Sequence, residues 1–256
     1  MRIAQIAPLY ESVPPKFYGG TERIVSYLTE ELVRQKQEVT LFASGDSETR
    51  ARLVPITERA LRLDGSRVKD PLAHHVRLIE RALRKAGEFD ILHFHLDHLH
   101  FPLVRRTGSL SVTTLHGRLD IPDLAPLFQE FSEMPVVSIS DAQRKPLAWL
   151  NWCGTWPEPF GLVMIEALAC GTPVIAFNRG SVPEIIENGK TGFVVRDVEE
   201  AVSAVGKLAE LDRGKCREAF DQRFSATRMA TNYLEIYHWL VSRRDGRGIS
   251  VFKPAA

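Results

Sequence analysis

Residues 156–177 read WPEPFGLVMIEALACGTPVIAF, a turn, a helix and a strand in succession. Pro157 and Pro159 favour an extended chain up to Phe160, because the residue before a proline is driven out of the helical region. Gly161 permits a close turn, and the apolar spacing from 161 to 170 predicts a helix that Gly171 ends. PVIAF (173–177) then reads as a strand. A helix delivered straight into a strand by a glycine is half of a strand–helix–strand unit, the building block of a parallel sheet.

The same alternation extends in both directions. Downstream, TGFVV (191–195) predicts a further strand, 198–211 a helix, and 226–244 a longer helix with Met229, Tyr233, Ile236, Tyr237 and Leu240 at helical spacing. Upstream, RIAQIAP (2–8), EVTLFAS (38–44), DILHFHLD (90–97), SVTTLHG (111–117) and PVVSISD (135–141) read as strands. Between them lie helical patterns at Ile24, Val25, Leu28, Leu32 and Val33, and at Val76, Ile79, Ala82 and Leu83. The expected fold is α/β with a Rossmann-like parallel sheet. The pattern breaks at LAWLNWCGT, which puts a boundary at Pro146–Thr155. Residues 1–150 are then one domain and 156–256 a shorter lobe.

The chain has 44% hydrophobic residues, 25% charged residues and a net charge of +1. That composition suits a soluble globular protein, and the near-neutral charge argues against nucleic acid as a partner. Cys153, Cys170 and Cys216 are widely spaced, which fits reduced thiols better than a disulfide or zinc framework. MRIAQIAPLY is too short an apolar run for a signal peptide or a membrane span, so a cytoplasmic location is expected.

In EPFGLVMIE the amides of Phe160, Gly161 and Leu162 fall at a helix start, where free N–H groups and the helix dipole favour an anionic or hydroxyl-rich ligand. Glu158 can accept from sugar hydroxyls, and Glu166 can accept paired hydrogen bonds from a ribose diol. Taken alone, two solvated glutamates beside a proline-capped helix would explain the same residues. However, the run Glu158–Glu166 resembles the E-x7-E motif of retaining GT-B glycosyltransferases, family four. The resemblance continues through EALACGTPVIAFNRGSVPEIIENGKTGFVV to residue 195. It implies a nucleoside-diphosphate sugar as donor substrate, an unidentified acceptor and no metal or other cofactor. Glu158, with the 160–162 amides, would hold the sugar, and Glu166 the ribose.

The first half adds to the resemblance. PPKFYGGTERIVSYLTEEL is similar to the family's first loop and helix. Gly19 and Gly20 can adopt positive φ there and bring amides to a diphosphate. TLHG places His116 at the carboxyl end of a strand, where open α/β sheets keep their ligand crevice. The resemblance implies that His116 contacts the donor sugar beside the anomeric carbon, making it and Glu158 the catalytic residues. SISDAQR resembles the loop after the domain's last strand, with Ser140 and Arg144 near the cleft.

A different class is suggested by His93, His95, Asp97 and His98, which spell HxHxDH, a metallohydrolase signature. That fold needs further histidines downstream, and none lies between His116 and His238. His93 and His95 are therefore read as a histidine-bearing strand, facing the cleft or packing under it. The resemblance also implies an omission: Cys153-Gly154-Thr155 runs directly into WPEPFG, where the family carries the first half of its second domain, with an Arg/Lys pair on the leaving diphosphate. Losing one such group costs about 3 kcal/mol, roughly a hundredfold in rate. This leaves open a binding-competent but catalytically weak remnant. The shortened lobe would need cover for its sheet edge from the first domain or from a second copy in a homo-oligomer.

Overall fold

The computed structural model describes residues 1–150, 152–155 and 161–244. Its main sheet contains β1 (Arg2–Ile6), β2 (Glu38–Ala43), β3 (Arg52–Pro55), β4 (Ile91–Phe94), β5 (Ser111–Leu115), β6 (Val136–Ser138) and β7 (Trp152–Thr155). All neighbours are parallel, in the order β3-β2-β1-β4-β5-β6-β7. The crossovers contain α1 (Gly20–Arg34), α2 (Pro71–Arg84), α3 (Phe101–Thr107), α4 (Leu124–Glu130) and α5 (Asp141–Arg144). The remaining elements are α6 (Leu162–Ala169), β8 (Val174–Phe177), α7 (Val182–Ile185), β9 (Gly192–Val195), α8 (Val198–Lys207), α9 (Arg213–Arg223) and α10 (Ala226–Arg244).

Two apolar layers sandwich the main sheet. On one face Ala4, Ile6, Leu92 and Phe94 pack with Leu78, Ile79, Phe101 and Phe128 from α2, α3 and α4. On the other, Ile3, Ile91, Val112 and Val137 meet Leu28 and Leu32 of α1 and Met229, Ile236 and Leu240 of α10. Each fully buried large side chain contributes about 1.5–3 kcal/mol, so α10 is held firmly under the sheet. Strand order reverses between β1, which pairs with β2, and β4. That switch point opens a crevice at the carboxyl ends of the strands.

Several elements differ from the sequence reading. The Asp70 carboxylate accepts from the amides of Leu72 and Ala73, at 2.9 and 3.3 Å, and Pro71 begins α2. This early cap rotates the buried face onto His75, Leu78, Ile79 and Ala82, leaving Val76 half exposed. The short strand β3 was not foreseen, because RLVP is a half-exposed run without alternation. Nor was β7: Trp152–Thr155 sits where the apolar pattern breaks, yet it pairs with β6. The polar helix α9 carries no apolar stripe that periodicity could detect.

β8 and β9 form a separate two-stranded parallel sheet. Met164, Ile165 and Leu168 of α6 pack near it with Ile185, Cys216 and Phe224. A Cβ built on Gly192 would lie 2.0 Å from the Val174 carbonyl oxygen and 2.8 Å from its nitrogen. These are rigid backbone atoms, so β8 and β9 can approach only because residue 192 lacks a side chain. Gly192→Ala is expected to destabilise the protein by about 2 kcal/mol, read as a lower urea midpoint with an unchanged slope. Among the described residues no helix is long and apolar enough to cross a membrane.

Candidate functional site

The switch-point crevice is a cleft of about 680 Å³. One wall is the start of α1, with Gly19, Gly20, Glu22 and Arg23. Its floor holds His95, Asp97 and His116, which follow β4 and β5. The opposite wall is Gly161, Leu162 and Glu166, around the start of α6. Seven residues named from the sequence are thus brought together: Gly19, Gly20, His95, His116, Gly161, Leu162 and Glu166. Glu158 and Phe160 lie outside the described residues.

The glycines act in different ways. Gly161 has φ +123°, a conformation that favours glycine, and it caps α6. The amides at the start of that helix have no intrahelical acceptor and line the cleft. Gly19, by contrast, has φ −173°, ordinary extended backbone, and Gly20 is not among the positive-φ residues. The expectation of positive φ at the Gly-Gly turn is therefore corrected. Gly19 is needed for close approach, since a Cβ there would lie 2.8 Å from Glu22 Oε2 and 2.9 Å from Pro15 Cβ.

His116 is fixed from three sides. Its backbone amide donates to Asp97 Oδ1 at 3.3 Å, and its Nε2 lies 2.9 Å from His95 Nδ1. Gln143, on α5, donates to the carbonyls of Leu115 and Gly117, both at 2.7 Å, and so clamps the residues either side of His116. Asp97 has φ +48°, a left-handed conformation that aspartate tolerates better than most residues. Beside the cleft, burial raises the Glu22 carboxyl above its ordinary range, and the buried Glu11 holds Arg62 at 3.2 Å.

His93 does not line the cleft. It is fully buried beneath it, between Tyr237 and Thr114, because it points to the sheet face that α10 covers. Both ring nitrogens of His93 and of His95 are taken by protein partners. The HxHxDH spacing therefore does not converge on a ligand set, and no cluster of three metal-binding groups occurs among the described residues. Burial pushes both imidazoles well below their ordinary pKa.

Ser140 and Arg144 do not line this cleft, but Ser140 follows Ile139, which does, and lines an adjoining groove with Arg118, Gln143 and Arg179. Ser140 Oγ caps α5 by accepting from the Gln143 amide at 2.9 Å, and Arg144 pairs with Asp141 one turn away. Their segment instead supports His116 through Gln143. The segment is itself held from α7: the Glu184 carboxylate accepts from the amides of Asp141 and Ala142, both at 2.8 Å. Hydrogen bonds to a charged group contribute about 1.5–3 kcal/mol. Glu184→Ala is expected to lose about 2 kcal/mol of stability and to loosen the His116 loop, read as faster amide exchange at Leu115–Gly117.

Sequence reasoning missed Gln5, Thr114 and Glu184, and it read Asp97 only as a metal candidate and Tyr237 only as a core position. A signal existed for Gln5: a strand buried on both faces reads as a continuous apolar run, so a glutamine inside RIAQIAP demands a partner.

Comparison with known proteins agrees with this architecture. The model of Glycosyltransferase Family 4 matches residues 18–157, and that of Glycosyl transferases group 1 matches residues 143–224. The D-inositol 3-phosphate glycosyltransferase of Rhodococcus erythropolis is 39% identical over 110 residues, covering 39% of this chain and 24% of that protein. The chain spans about a quarter of the length of the curated relatives it matches. Two solved structures share the fold. AviGT4, a glycosyltransferase involved in avilamycin A biosynthesis, has a TM-score of 0.62 at 17% identity, covering 94% of this chain and 98% of that one. Anabaena HepE in complex with UDP and glucose has a TM-score of 0.52 at 13% identity, covering 91% and 98%. With a GT-B-type parallel sheet, a switch-point cleft and a family match over more than half its length, the chain belongs to glycosyltransferase family 4.

Proposed function

We propose that this chain transfers a sugar from a nucleoside-diphosphate sugar to an acceptor with retention of anomeric configuration, and without a metal. The carrying observation is the cleft in which His116 faces the Gly161–Leu162 turn and Glu166. In this reading His116 and Glu158 contact the donor sugar, the α6 amides meet its polar groups and Glu166 takes the ribose diol. Leaving-group charge needs cations, and the guanidinium groups of Arg23 and Arg62 on the cleft wall could supply them in place of the family's Arg/Lys pair. HepE, which shares the fold, is described with UDP and glucose, and this favours a nucleotide-sugar donor.

A second reading, binding without efficient turnover, is favoured by the two-stranded sheet β8–β9, a small platform for a donor domain. A panel of UDP-, GDP- and ADP-sugars, read by nucleotide release with and without candidate acceptors, separates the two. Release above buffer supports transfer. Binding with no release supports the second reading, and neither binding nor release sinks both.

The boundary near residues 150–156, the shortened second lobe and a cytoplasmic setting belong to the same proposal. Val198, Val202 and Val205 form an exposed apolar stripe on α8, suited to a second copy covering this lobe. Sedimentation at several concentrations tests this, and a strictly monomeric species would count against it.

A further inference from the structure

Two aromatic rings on the cleft wall are left uncovered among the described residues. Phe17 is 72% exposed and Tyr18 84% exposed, and both line the cleft just ahead of the Gly19–Gly20 turn. A single exposed apolar side chain is ordinary, but adjacent rings on the wall of a concave site are the usual lining of a ligand pocket. Tyr10 lines the cleft too, yet its faces are engaged: the His75 ring centre lies 4.9 Å away and the Arg62 guanidinium 5.8 Å. Among the described residues no ring or cation stacks on Phe17 or Tyr18.

The loop beneath these rings is held in place. Arg62 Nη1 donates to the Tyr18 carbonyl at 3.1 Å and to Glu11 Oε1 at 3.2 Å. Ser12 Oγ donates to the Pro14 carbonyl at 2.8 Å, and Gly19 packs against Pro15 and Glu22 too closely for any side chain. A ligand that stacked on these rings would therefore lose little affinity to ordering the loop.

The facing wall indicates which part of a ligand would lie there. Val163 and Glu166 are three residues apart on α6, so they share one face of that helix, and both line the cleft. Val163 is 68% exposed. With the ribose diol on Glu166, the base, joined to the neighbouring ribose carbon, falls beside Val163. Among the described residues the second lobe adds only Gly161, Leu162, Val163 and Glu166 to the cleft, so it can cover one face of a flat base and no more. The wall across from it carries Phe17 and Tyr18, in the same cleft as the Arg23 and Arg62 guanidinium groups that suit a diphosphate.

We infer that Phe17 and Tyr18 stack on the base of the donor nucleotide and, with Val163, hold it between the two walls of the cleft. Aromatic side chains stack on any base through its π-face, and each such contact is worth about tenfold in affinity or more. The inference rests on reading the cleft as a nucleotide-sugar site, and its test separates the two.

The test is calorimetric titration of the 256-residue chain with UDP, GDP and ADP, and with inorganic pyrophosphate as a probe that has no base. At least one nucleoside diphosphate should bind more tightly than pyrophosphate. Phe17→Ala and Tyr18→Ala should each weaken that nucleotide about tenfold and leave pyrophosphate unchanged. Tyr18→Phe, which keeps the ring, should bind like the wild type. Both side chains are exposed, so these variants should fold. A wild type that binds the nucleotide no more tightly than pyrophosphate would overturn the inference without recourse to any variant. Unchanged nucleotide binding in both alanine variants would overturn it and leave the donor reading intact. An equal loss for pyrophosphate would overturn it as well, by showing that the loop and not the base is affected. No binding of any nucleoside diphosphate to the wild type would overturn it together with the donor reading.

Discussion

Moving from about pH 7.5 to about pH 5.5 is expected to remove about 4 kcal/mol of folding stability. The loss comes from His93, His95 and His100, which burial holds well below the ordinary histidine value of 6.5, His100 at about 3. His100 stacks on Phe94, and its Nδ1 is buried without a partner, so a proton added there would have no acceptor. Below 6.5 the unfolded chain takes up protons at these positions while the folded chain does not. Stability therefore falls as pH falls, by about 1.4 kcal/mol per histidine per pH unit, until the folded-state values are reached. Glu22 works in the opposite sense, because its raised carboxyl gains a proton on folding, but it is one group against these three and His75, whose imidazole burial also lowers. Urea midpoints across this range measure the effect, and His100→Gln should reduce the pH dependence by about a third. A midpoint that does not move with pH would contradict the burial of these rings.

Replacing His116 with alanine is expected to lower transfer by about a hundredfold, the scale of one lost polar contact to a developing charge. The side chain lines the cleft, and its backbone is held independently by Asp97 and Gln143. The variant should therefore fold normally, and its defect should appear in kcat measured by nucleotide release. A His116→Ala protein with wild-type turnover would show that the reacting sugar lies elsewhere.

The alternation of RIAQIAP, EVTLFAS and SVTTLHG with helical segments made the parallel sheet legible, because buried parallel strands and amphipathic helices have different periods. RLVP and WCGT escaped notice because RLVP is a half-exposed run without alternation and WCGT lies where the apolar pattern breaks. The cleft was legible where motif and topology coincide: His116 at a strand end, and Gly161 and Glu166 at a helix start. The support beneath it was not. Gln5 and Tyr237 lie 232 positions apart, and only the α10 crossover under the sheet brings them into contact. Ser140 and Arg144 were placed near the cleft by their proximity in sequence to a strand end. The turn into α5 makes Ser140 a cap at the edge of an adjoining groove and gives Arg144 a surface ion pair, and it leaves Gln143 as the residue that reaches the loop of His116.

The central claim is that this cleft holds a nucleotide-sugar donor between His116 and Glu166, and direct calorimetric titration tests it. UDP-, GDP- and ADP-glucose would be titrated into the wild-type protein and into Glu166→Gln, a change that removes a charged acceptor exposed in the cleft. One donor should bind at a single site per chain, and the variant should bind it about tenfold more weakly, the scale of one charge-assisted hydrogen bond. Failure of all three donors to bind, or equal binding by wild type and Glu166→Gln, would contradict it.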